Sequence, residues 1–295
     1  YPGVTNQTWI PEIKTLGLEI GKDLEIAYCP ERFNPGDQAH GVRQVARVIG
    51  CSNPEIGTGL AGLYSRLTTE DVRYVGKLEV AEAAKVIENV QRDVNIALVN
   101  ELARIFPELD VDVEDVLTAA ATKWNFHRYT PGVGVGGHCI PVDPYYLIQR
   151  AADVGVPAEM ISAARAVNRG MPLHVAGVLN ELLYKVGVPS GEGKVLLLGW
   201  SYKPEVGDPR ETPAEPLFEA LQSKAISVSA WDPHLSTDDF PEGVEVVEDI
   251  SVAKGFDLVV LVTAHKACLE IDWANLANRM NQPIIYDGRR VLDLA

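Results

Sequence analysis

The sequence predicts an α/β protein in three parts: the remnant of a doubly wound domain, a central all-helical region with one long helix, and a C-terminal α/β unit. Short apolar runs alternate with helical spacing at both ends of the chain, which is typical of parallel sheets with crossover helices. Between them, residues 77–106 contain no Gly or Pro and keep helical spacing. We therefore expect the three parts to span 1–76, 77–189 and 190–295.

Composition narrows the possible partners. The 295 residues carry a formal net charge of −15, which argues against nucleic acid or an anionic membrane as a partner. No apolar run reaches the length of a membrane span. The four cysteines are widely scattered and no signal-peptide pattern accompanies them, which predicts reduced thiols in the cytoplasm.

The first part alternates strand and helix signals. Its first apolar run ends in the Pro/Gly-rich loop Pro30–Asp37, and α/β proteins place ligand contacts in polar loops after such runs. The predicted elements are a helix at Thr8–Leu18, strands at Leu24–Cys29 and Val45–Cys51, and a helix at Pro54–Ser65.

The central part is predicted to be helical. Lys85 and Asn89 are four residues apart and share a face of the long helix. Most such pairs only belong to a solvent-exposed face of a helix and have no functional role. A further helix is expected at Val113–Ala121, and Ala158–Leu183 is expected to form either one helix or two helices divided at Pro172. Apolar residues with helical spacing on the long helix are Val80, Ala84, Ile87, Val94, Leu98 and Leu102.

A glycine-rich loop, residues 131–144, organises the rest of the chain. Its four glycines allow a ligand or another backbone to approach closely. It ends on Cys139, and the prolines that follow predict a helix start, with the helix continuing to about Val154. A helix N-terminus favours the thiolate form, so Cys139 is a candidate nucleophile. Asp143 lies four residues on, which in a helix would be the same side.

Three other interpretations of this loop compete. Its glycines spell G-x-G-x-x-G, but no strand precedes them and no helix begins among them, so we reject a dinucleotide-binding turn. Zinc binding by His138 and Cys139 is weakly indicated, because no second ligand cluster is present. A buried structural cysteine is the remaining alternative.

The C-terminal part predicts a parallel sheet. Lys203, Arg210 and Arg289 each fall just past a strand end, where ligands bind, and three cations there suit phosphate groups, although surface salt bridges would explain any one of them. A Gly/Pro/Ser-rich linker at Val186–Gly193 precedes this part. The predicted strands are Lys194–Gly199, Ile226–Trp231, Leu258–Thr263 and Pro283–Arg290, with a helix at Pro213–Leu221.

Taken together, these motifs resemble the UDP-glucose/GDP-mannose dehydrogenase family over nearly the whole chain. Residues 136–143 resemble its catalytic-cysteine motif, and residues 85–89 its Lys-x-x-x-Asn pair on the central helix. Residues 202–211 and 287–290 resemble its phosphate-contacting loops. The subgroup with these motifs oxidises UDP-N-acetylhexosamines, and Pro35 stands where UDP-glucose enzymes carry a second glutamate.

The resemblance implies Rossmann-like terminal domains, the last one binding UDP, and an NAD-dependent oxidation of the sugar C6 alcohol to a carboxylate. It implies catalytic roles for Cys139, Lys85, Asn89, Asp143 and Glu31. It also implies a homodimer formed through the central helix. Substrate contacts are implied for Lys203, Arg289, Gly136, Gly137, Arg128 and, from a partner chain, Lys123; cofactor contacts are implied for Arg210 and Glu31.

One departure from the family pattern affects these expectations. Family members begin with a strand and a G-x-G-x-x-G turn that binds NAD, which this sequence does not contain. We therefore expect a part of a longer protein that lacks most of the NAD site and does not catalyse the reaction alone. Two other classes stay open: a cysteine hydrolase, which needs a His near the thiol, and a UDP-sugar-binding and dimerisation module without catalysis.

Overall fold

The computed structural model describes residues 1–33, 39 and 41–292. Single turns of π- or 3₁₀-helix lie at Thr5–Trp9, Phe106–Leu109, Thr237–Asp239 and Ile250–Val252. In chain order the helices and strands are α1 (Ile10–Thr15), β1 (Ala27–Tyr28), β2 (Arg47–Cys51), α2 (Pro54–Tyr64), β3 (Val72–Gly76), α3 (Leu78–Ile105), α4 (Val113–Ala121), α5 (Asp143–Asp153), α6 (Glu159–Lys185), β4 (Lys194–Leu198), α7 (Ala214–Gln222), β5 (Ser227–Trp231), β6 (Glu245–Val246), β7 (Leu258–Leu261), α8 (Lys266–Leu269), α9 (Trp273–Arg279) and β8 (Ile285–Asp287).

The chain divides into two compact units. The first unit comprises Tyr1–Arg92 and Val142–Ile161, and the second comprises Asp93–Pro141 and Ser162–Ala295. No helix in the described part of the chain combines the length and the apolar character that a membrane span requires.

The first unit contains a three-stranded sheet in the order β1-β2-β3. Strand β2 pairs antiparallel with β1 and parallel with β3. The predicted strand at Leu24–Cys29 is reduced to β1, because only Ala27 and Tyr28 pair with β2. Strand β3 was not predicted, since a charged arginine interrupts its short apolar run. At Gly50, β2 approaches α3 so closely that a Cβ atom would lie 2.8 Å from the Leu78 Cα atom.

The second unit contains a five-stranded sheet that confirms the predicted α/β class. All its strands are parallel, in the order β6-β5-β4-β7-β8, so the strand order reverses beside the central strand β4. Alternate residues of β4 face two apolar cores: Val195 and Leu197 pack with α6 and α7, and Leu196 and Leu198 pack with α9. In such a sheet, ligands bind at the carboxyl ends of the strands beside this reversal.

The two longest helices are α3 and α6. Helix α3 confirms the predicted long helix, but several apolar residues of its predicted stripe, among them Val80, Ile87 and Leu98, are exposed. Of the two alternatives for residues 158–183, the structure has the single helix: α6 continues through Pro172. Pro172 is buried, and its ring packs against Gly134 of the glycine-rich loop. This packing offsets the hydrogen bond that proline cannot donate.

Candidate active site

The glycine-rich loop is pressed against the loop that follows β4. The Gly137 amide donates a 3.1 Å hydrogen bond to the Glu211 carbonyl, and Gly137 has a φ of +91°. A Cβ atom at Gly136 would lie 2.8 Å from the same carbonyl, and one at Gly137 would lie 2.8 Å from the Tyr202 ring. In the second unit, these glycines therefore permit close approach of a neighbouring backbone and an aromatic ring.

We expect Gly137→Ala to destabilise the protein through both strain and crowding. Gly155→Ala is the matched control, because Gly155 has a similar φ of +76° but no atom within 4 Å of its Cβ position. The left-handed backbone should cost about 1–2 kcal/mol in each variant. Crowding against Tyr202 should add about 1–3 kcal/mol for Gly137→Ala alone. Urea unfolding measures the difference, and equal losses in the two variants would contradict the close approach.

Cys139 lies in the turn before helix α5 and is half-buried. Helix α5 begins at Asp143, so Cys139 precedes the helix and the predicted i,i+4 helical spacing between these two residues is wrong. Burial, and then the charges of Asp208 and Cys139, raise the pKa of the Tyr202 hydroxyl. The Cys139 thiol therefore lies within electrostatic range of Tyr202. The His138 ring meets Tyr202 edge-on, with ring centroids 6.2 Å apart.

All four cysteines are described by the structure, and none forms a disulfide. Cys268 is fully buried, and burial raises the pKa of its thiol to about 12. Because the thiolate is the nucleophilic form, Cys268 is chemically inert near neutral pH. Cys139 is the cysteine of the second unit that solvent reaches.

A chain of buried polar side chains lies behind the glycine-rich loop. The Gly132 amide donates to Asn100 Oδ1 at 2.9 Å, and Asn100 Nδ2 donates to Asn168 Oδ1 at 2.9 Å. Asn168 and Arg165 both donate to Asp93 Oδ1, at 2.8 Å and 2.5 Å. Burial raises the pKa of Asp93, against the opposing effect of Arg165. These polar residues of α3 and α6 therefore fix the start of the loop.

Sequence reasoning missed this polar chain. Four of its members lie on α3 and α6, and from the sequence they resemble the polar residues that any solvent-exposed helix face carries. Asn100 is seven residues after Asp93 and therefore lies on the same face of α3. This spacing is the one sequence signal that could have indicated a buried partner shared by the two residues.

The predicted phosphate-binding cations lie at the ends of two strands of the second unit. Lys203 follows β4 and Arg289 follows β8, and both are half-buried. Burial lowers the pKa of Arg289, and Asp287 partly opposes this shift. Among the described residues, none forms an ion pair with the Arg289 guanidinium. The guanidinium lies against the glycine-rich loop, since a Cβ atom at Gly132 would lie 2.6 Å from its Nη1 atom. A half-buried cation without an ion pair is suited to an anionic ligand.

Arg210 is held by a neighbouring carboxylate. Its Nε and Nη2 atoms donate to Asp208 at 2.8 Å and 2.6 Å, while 70% of the side chain stays exposed. Hydrogen bonding to Arg210 lowers the pKa of Asp208 and raises that of Arg210. The guanidinium is thus oriented, and its Nη1 donors point away from this pair.

The segment between α4 and the glycine-rich loop is largely exposed. Arg128 forms an ion pair with Glu114 at the start of α4 and a 3.4 Å hydrogen bond with Thr118. Lys123 is exposed, and the adjacent Trp124 is 91% exposed. Arg128 is therefore held against α4, whereas Lys123 and Trp124 face solvent.

In the first unit, the Lys-x-x-x-Asn pair lies on α3 as predicted. Asn89 is buried, and its Nδ2 atom donates a 2.6 Å hydrogen bond to Asp143 Oδ2 at the start of α5. Lys85 is half-buried, one helical turn before Asn89. The structure therefore brings together an amide and a carboxylate that are 54 residues apart in sequence.

Glu31 lies in the loop after β1 and is exposed. Its Oε1 atom accepts a 2.7 Å hydrogen bond from the Phe33 amide, and the neighbouring Arg32 pairs with Glu88 of α3 at 2.7 Å. Pro35, which bears on the choice of sugar, lies outside the described residues.

Two further residues of the first unit were not predicted. Glu82 is buried and accepts hydrogen bonds from the Gly3 and Thr5 amides at 2.5 Å and 2.9 Å, which fixes the start of the chain against α3. Burial, then the charges of Glu82 and Asp143, raise the pKa of Tyr28. Tyr28 therefore lies within electrostatic range of Asp143.

Comparison with known proteins decides the family. The model of the UDP-glucose/GDP-mannose dehydrogenase family, central domain, matches residues 79–170, and that of its UDP binding domain matches residues 196–294. A UDP-N-acetyl-D-glucosamine 6-dehydrogenase of Pseudomonas aeruginosa is 38% identical over 99% of this chain and 70% of its own length. The chain belongs to the UDP-glucose/GDP-mannose dehydrogenase family. The resemblance drawn from the motifs is thereby confirmed.

Other members of the UDP-glucose/GDP-mannose dehydrogenase family support the same assignment. Protein CapL of Staphylococcus aureus is 38% identical over 99% of this chain and 69% of its own length. The solved structure of a UDP-D-ManNAc dehydrogenase of Pyrococcus horikoshii superposes with a TM-score of 0.87 at 30% identity, covering 100% of this chain and 68% of that one. The family is one of NAD-dependent dehydrogenases, so the predicted enzyme class is confirmed.

Proposed function

We propose that this protein is an NAD-dependent UDP-N-acetylhexosamine 6-dehydrogenase that oxidises the C6 hydroxyl to a carboxylate. The observation that carries the proposal is the hydrogen bond between Asn89 and Asp143, with Lys85 one turn away on the same helix. These residues come from two separate motifs, and together they offer a cation, an amide and a carboxylate. Relatives named as UDP-N-acetylhexosamine dehydrogenases support the substrate class.

In the first oxidation, the C6 hydroxyl loses its proton and a hydride leaves the same carbon. The Lys85 ammonium stabilises the alkoxide that forms before the hydride leaves. Asn89 and Asp143 hold a water molecule that accepts the hydroxyl proton, because the amide orients the water and the carboxylate increases its basicity. The product of this step is an aldehyde at C6.

In the second oxidation, Cys139 retains the aldehyde. The thiolate attacks the C6 carbonyl carbon, and the carbonyl oxygen takes up a proton, giving a thiohemiacetal. Loss of a second hydride from C6, together with the hydroxyl proton, leaves a thioester. Water then attacks the thioester carbonyl and Glu31 accepts one water proton. The carbon–sulfur bond breaks, and the second proton passes to solvent, giving the carboxylate and the Cys139 thiolate.

For the cofactor, the side chain that best fits NAD is Arg210. Its exposed Nη1 donors remain available after its two hydrogen bonds to Asp208, and these suit a phosphate or ribose oxygen. Glu31 is a second candidate contact, because its side chain is exposed. When bound, each of two successive NAD molecules accepts one of the two hydrides that the substrate loses.

For the substrate, Lys203 and Arg289 are proposed to bind the diphosphate of UDP. The half-buried Arg289 guanidinium supports this role, because a diphosphate would neutralise a charge that the described residues leave without an ion pair. The backbone of Gly136 and Gly137 and the Arg128 side chain are proposed to contact the sugar. Lys123 is proposed to contact the substrate bound to a partner chain.

We propose that the protein is a homodimer that associates through α3. Supporting this, the exposed large hydrophobic residues of this helix recur at spacings of seven and eleven residues: Val80, Ile87, Leu98 and Ile105. Such spacings keep the residues on one face of a helix. An exposed apolar stripe of this length on a helix otherwise rich in charge is suited to a second copy.

The test is a panel of UDP-GlcNAc, UDP-GalNAc, UDP-ManNAc and UDP-glucose with NAD, using the longest natural form of the protein. We expect two NADH per uronate with one N-acetylhexosamine. Lys85→Met should lower kcat about 10²- to 10³-fold, because the alkoxide loses its cation. Lys77→Met is the control, since Lys77 is exposed and precedes α3. Absence of NADH with every UDP-sugar would refute the proposal.

A further inference from the structure

A polar cluster outside the proposed catalytic residues lies at the carboxyl ends of β4, β5 and β7 in the second unit. It consists of Asp232, His265, Glu205 and His234, and we call it the strand-end cluster. Asp232 and His265 are buried, and the rings of His234 and His265 lie 4.8 Å apart. The cluster borders the loop that carries Lys203.

Asp232 holds the beginning of this loop. Its Oδ2 atom accepts hydrogen bonds from the Trp200 and Ser201 amides at 2.8 Å and 2.7 Å, and from His265 Nε2 at 3.1 Å. Its Oδ1 atom accepts a 2.9 Å bond from the His234 amide. Although burial opposes ionisation, these donors lower the pKa of Asp232 to about 2. The carboxylate is therefore charged at every pH at which the protein would act.

His265 holds the end of the same loop. The Glu205 amide donates to His265 Nδ1 at 3.0 Å, which requires an unprotonated Nδ1 atom and leaves the ring proton on Nε2, facing Asp232. The Glu205 carboxylate in turn accepts a 2.7 Å hydrogen bond from the Lys266 amide. The loop is thus bonded to Asp232 at residues 200 and 201 and to His265 at residue 205, with Lys203 between.

Metal binding is the alternative for this cluster. One ligand atom each from Glu205, His234 and His265 lies within 4.8 Å of the others. However, the single lone pair of His265 Nδ1 already accepts from the Glu205 amide, and a metal ion bound there would leave this donor without its acceptor. The hydrogen bonds therefore favour a cluster that orders the loop.

We infer that His265 and Asp232 are positioning residues that set the place of Lys203 for the diphosphate of the nucleotide. This inference rests on the proposed function of Lys203. The loop also carries Tyr202, against which Gly137 packs, so the same two residues fix the surface on which the glycine-rich loop lies. Preordering of this kind raises affinity, because the loop loses less conformational freedom when the ligand binds.

Paired substitutions of His265 test the inference. In His265→Asn the side-chain oxygen replaces Nδ1 and can still accept from the Glu205 amide, whereas in His265→Gln the amide group reaches Asp232 only. His265→Phe keeps an aromatic ring and removes both bonds. We expect affinity for UDP, by calorimetry, to fall about tenfold in His265→Gln and His265→Phe and less in His265→Asn.

Amide hydrogen exchange provides a readout that does not depend on UDP. The Glu205 amide should exchange about tenfold faster in His265→Gln and His265→Phe, and near the wild-type rate in His265→Asn. His234→Phe is the control and should change neither measurement, because it keeps a ring beside His265 and removes only the 3.7 Å contact of His234 Nε2 with the Glu205 carboxylate. Thermal melting identifies any variant that is unfolded.

Each outcome decides between the two proposals. If the wild type does not bind UDP, the proposed function fails, and the exchange rates still decide whether His265 orders the loop. Equal exchange in His265→Asn and His265→Phe would overturn the positioning role, as would faster exchange with unchanged UDP affinity. A rise in melting temperature with Zn²⁺ that His234→Phe removes would show that the cluster binds metal instead.

Discussion

Replacing Cys139 by alanine should abolish uronate formation, with a fall in turnover of at least about 10³-fold. Without the thiolate, the C6 aldehyde cannot be held as a thiohemiacetal, and no thioester can form. Cys139→Ser should be nearly as inactive, because a hydroxyl is far less ionised than a thiol near neutral pH. The measurement is uronate release with the UDP-sugar that the panel identifies, with NADH followed in parallel.

Two controls accompany this experiment. Cys29→Ser replaces another half-buried thiol that has no proposed role, and it should keep its activity. Iodoacetamide near neutral pH should label Cys139 and not Cys268, because burial raises the pKa of the Cys268 thiol to about 12. Protection of Cys139 by UDP-sugar would support the role. Uronate release by Cys139→Ala at the normal rate would refute it.

Asp93→Ala should lower the free energy of unfolding by about 3–5 kcal/mol, the largest stability effect we expect from one substitution. Asp93 is fully buried, and its carboxylate accepts from both Arg165 and Asn168. Removing it takes away a carboxylate that lies 2.5 Å from a buried guanidinium, which costs more than the pair itself contributes. Urea unfolding followed by circular dichroism measures the loss.

The double variant Asp93→Leu/Arg165→Met distinguishes two causes of the stability loss. One cause is the lost charge partner of Arg165, and the other is the broken chain of polar hydrogen bonds. Replacing both charges by apolar groups should recover at least half of the stability lost in Asp93→Ala. The matched control is Asp71→Ala, which removes an exposed ion pair in which Arg73 Nε lies 2.6 Å from Asp71 Oδ2. This variant should lose less than about 1 kcal/mol of unfolding free energy. A double variant no more stable than Asp93→Ala would contradict the electrostatic explanation.

The local sequence pattern was enough to predict several helices and strands. Helix α4 begins and ends where helical spacing indicated, and α3 differs from the prediction by one residue at each end. The apolar runs of β4 and β7 predicted buried strands of a parallel sheet, because each of these strands is covered on both faces. The motif around Cys139 and the pair Lys85 and Asn89 were sufficient to indicate the family.

Local pattern failed where contacts distant in sequence decide the outcome. Pro172 remains inside α6 because its ring packs against the glycine-rich loop, which no helical propensity encodes. On α3 the apolar stripe chosen from its spacing is partly exposed, whereas the buried face carries Glu82, Asn89, Asp93 and Asn100. Those polar residues are buried because each has a partner on another element.

By itself, the sequence determined the fold class, the family and the residue types available for the chemistry, since these depend on periodicity and on short motifs. Only the tertiary structure decided which side chains meet: Asn89 with Asp143, Asn100 with Gly132, and His265 with Asp232. The physical reason is that a buried polar group must find a hydrogen-bond partner. That partner is chosen by how helices and strands pack, not by neighbours along the chain.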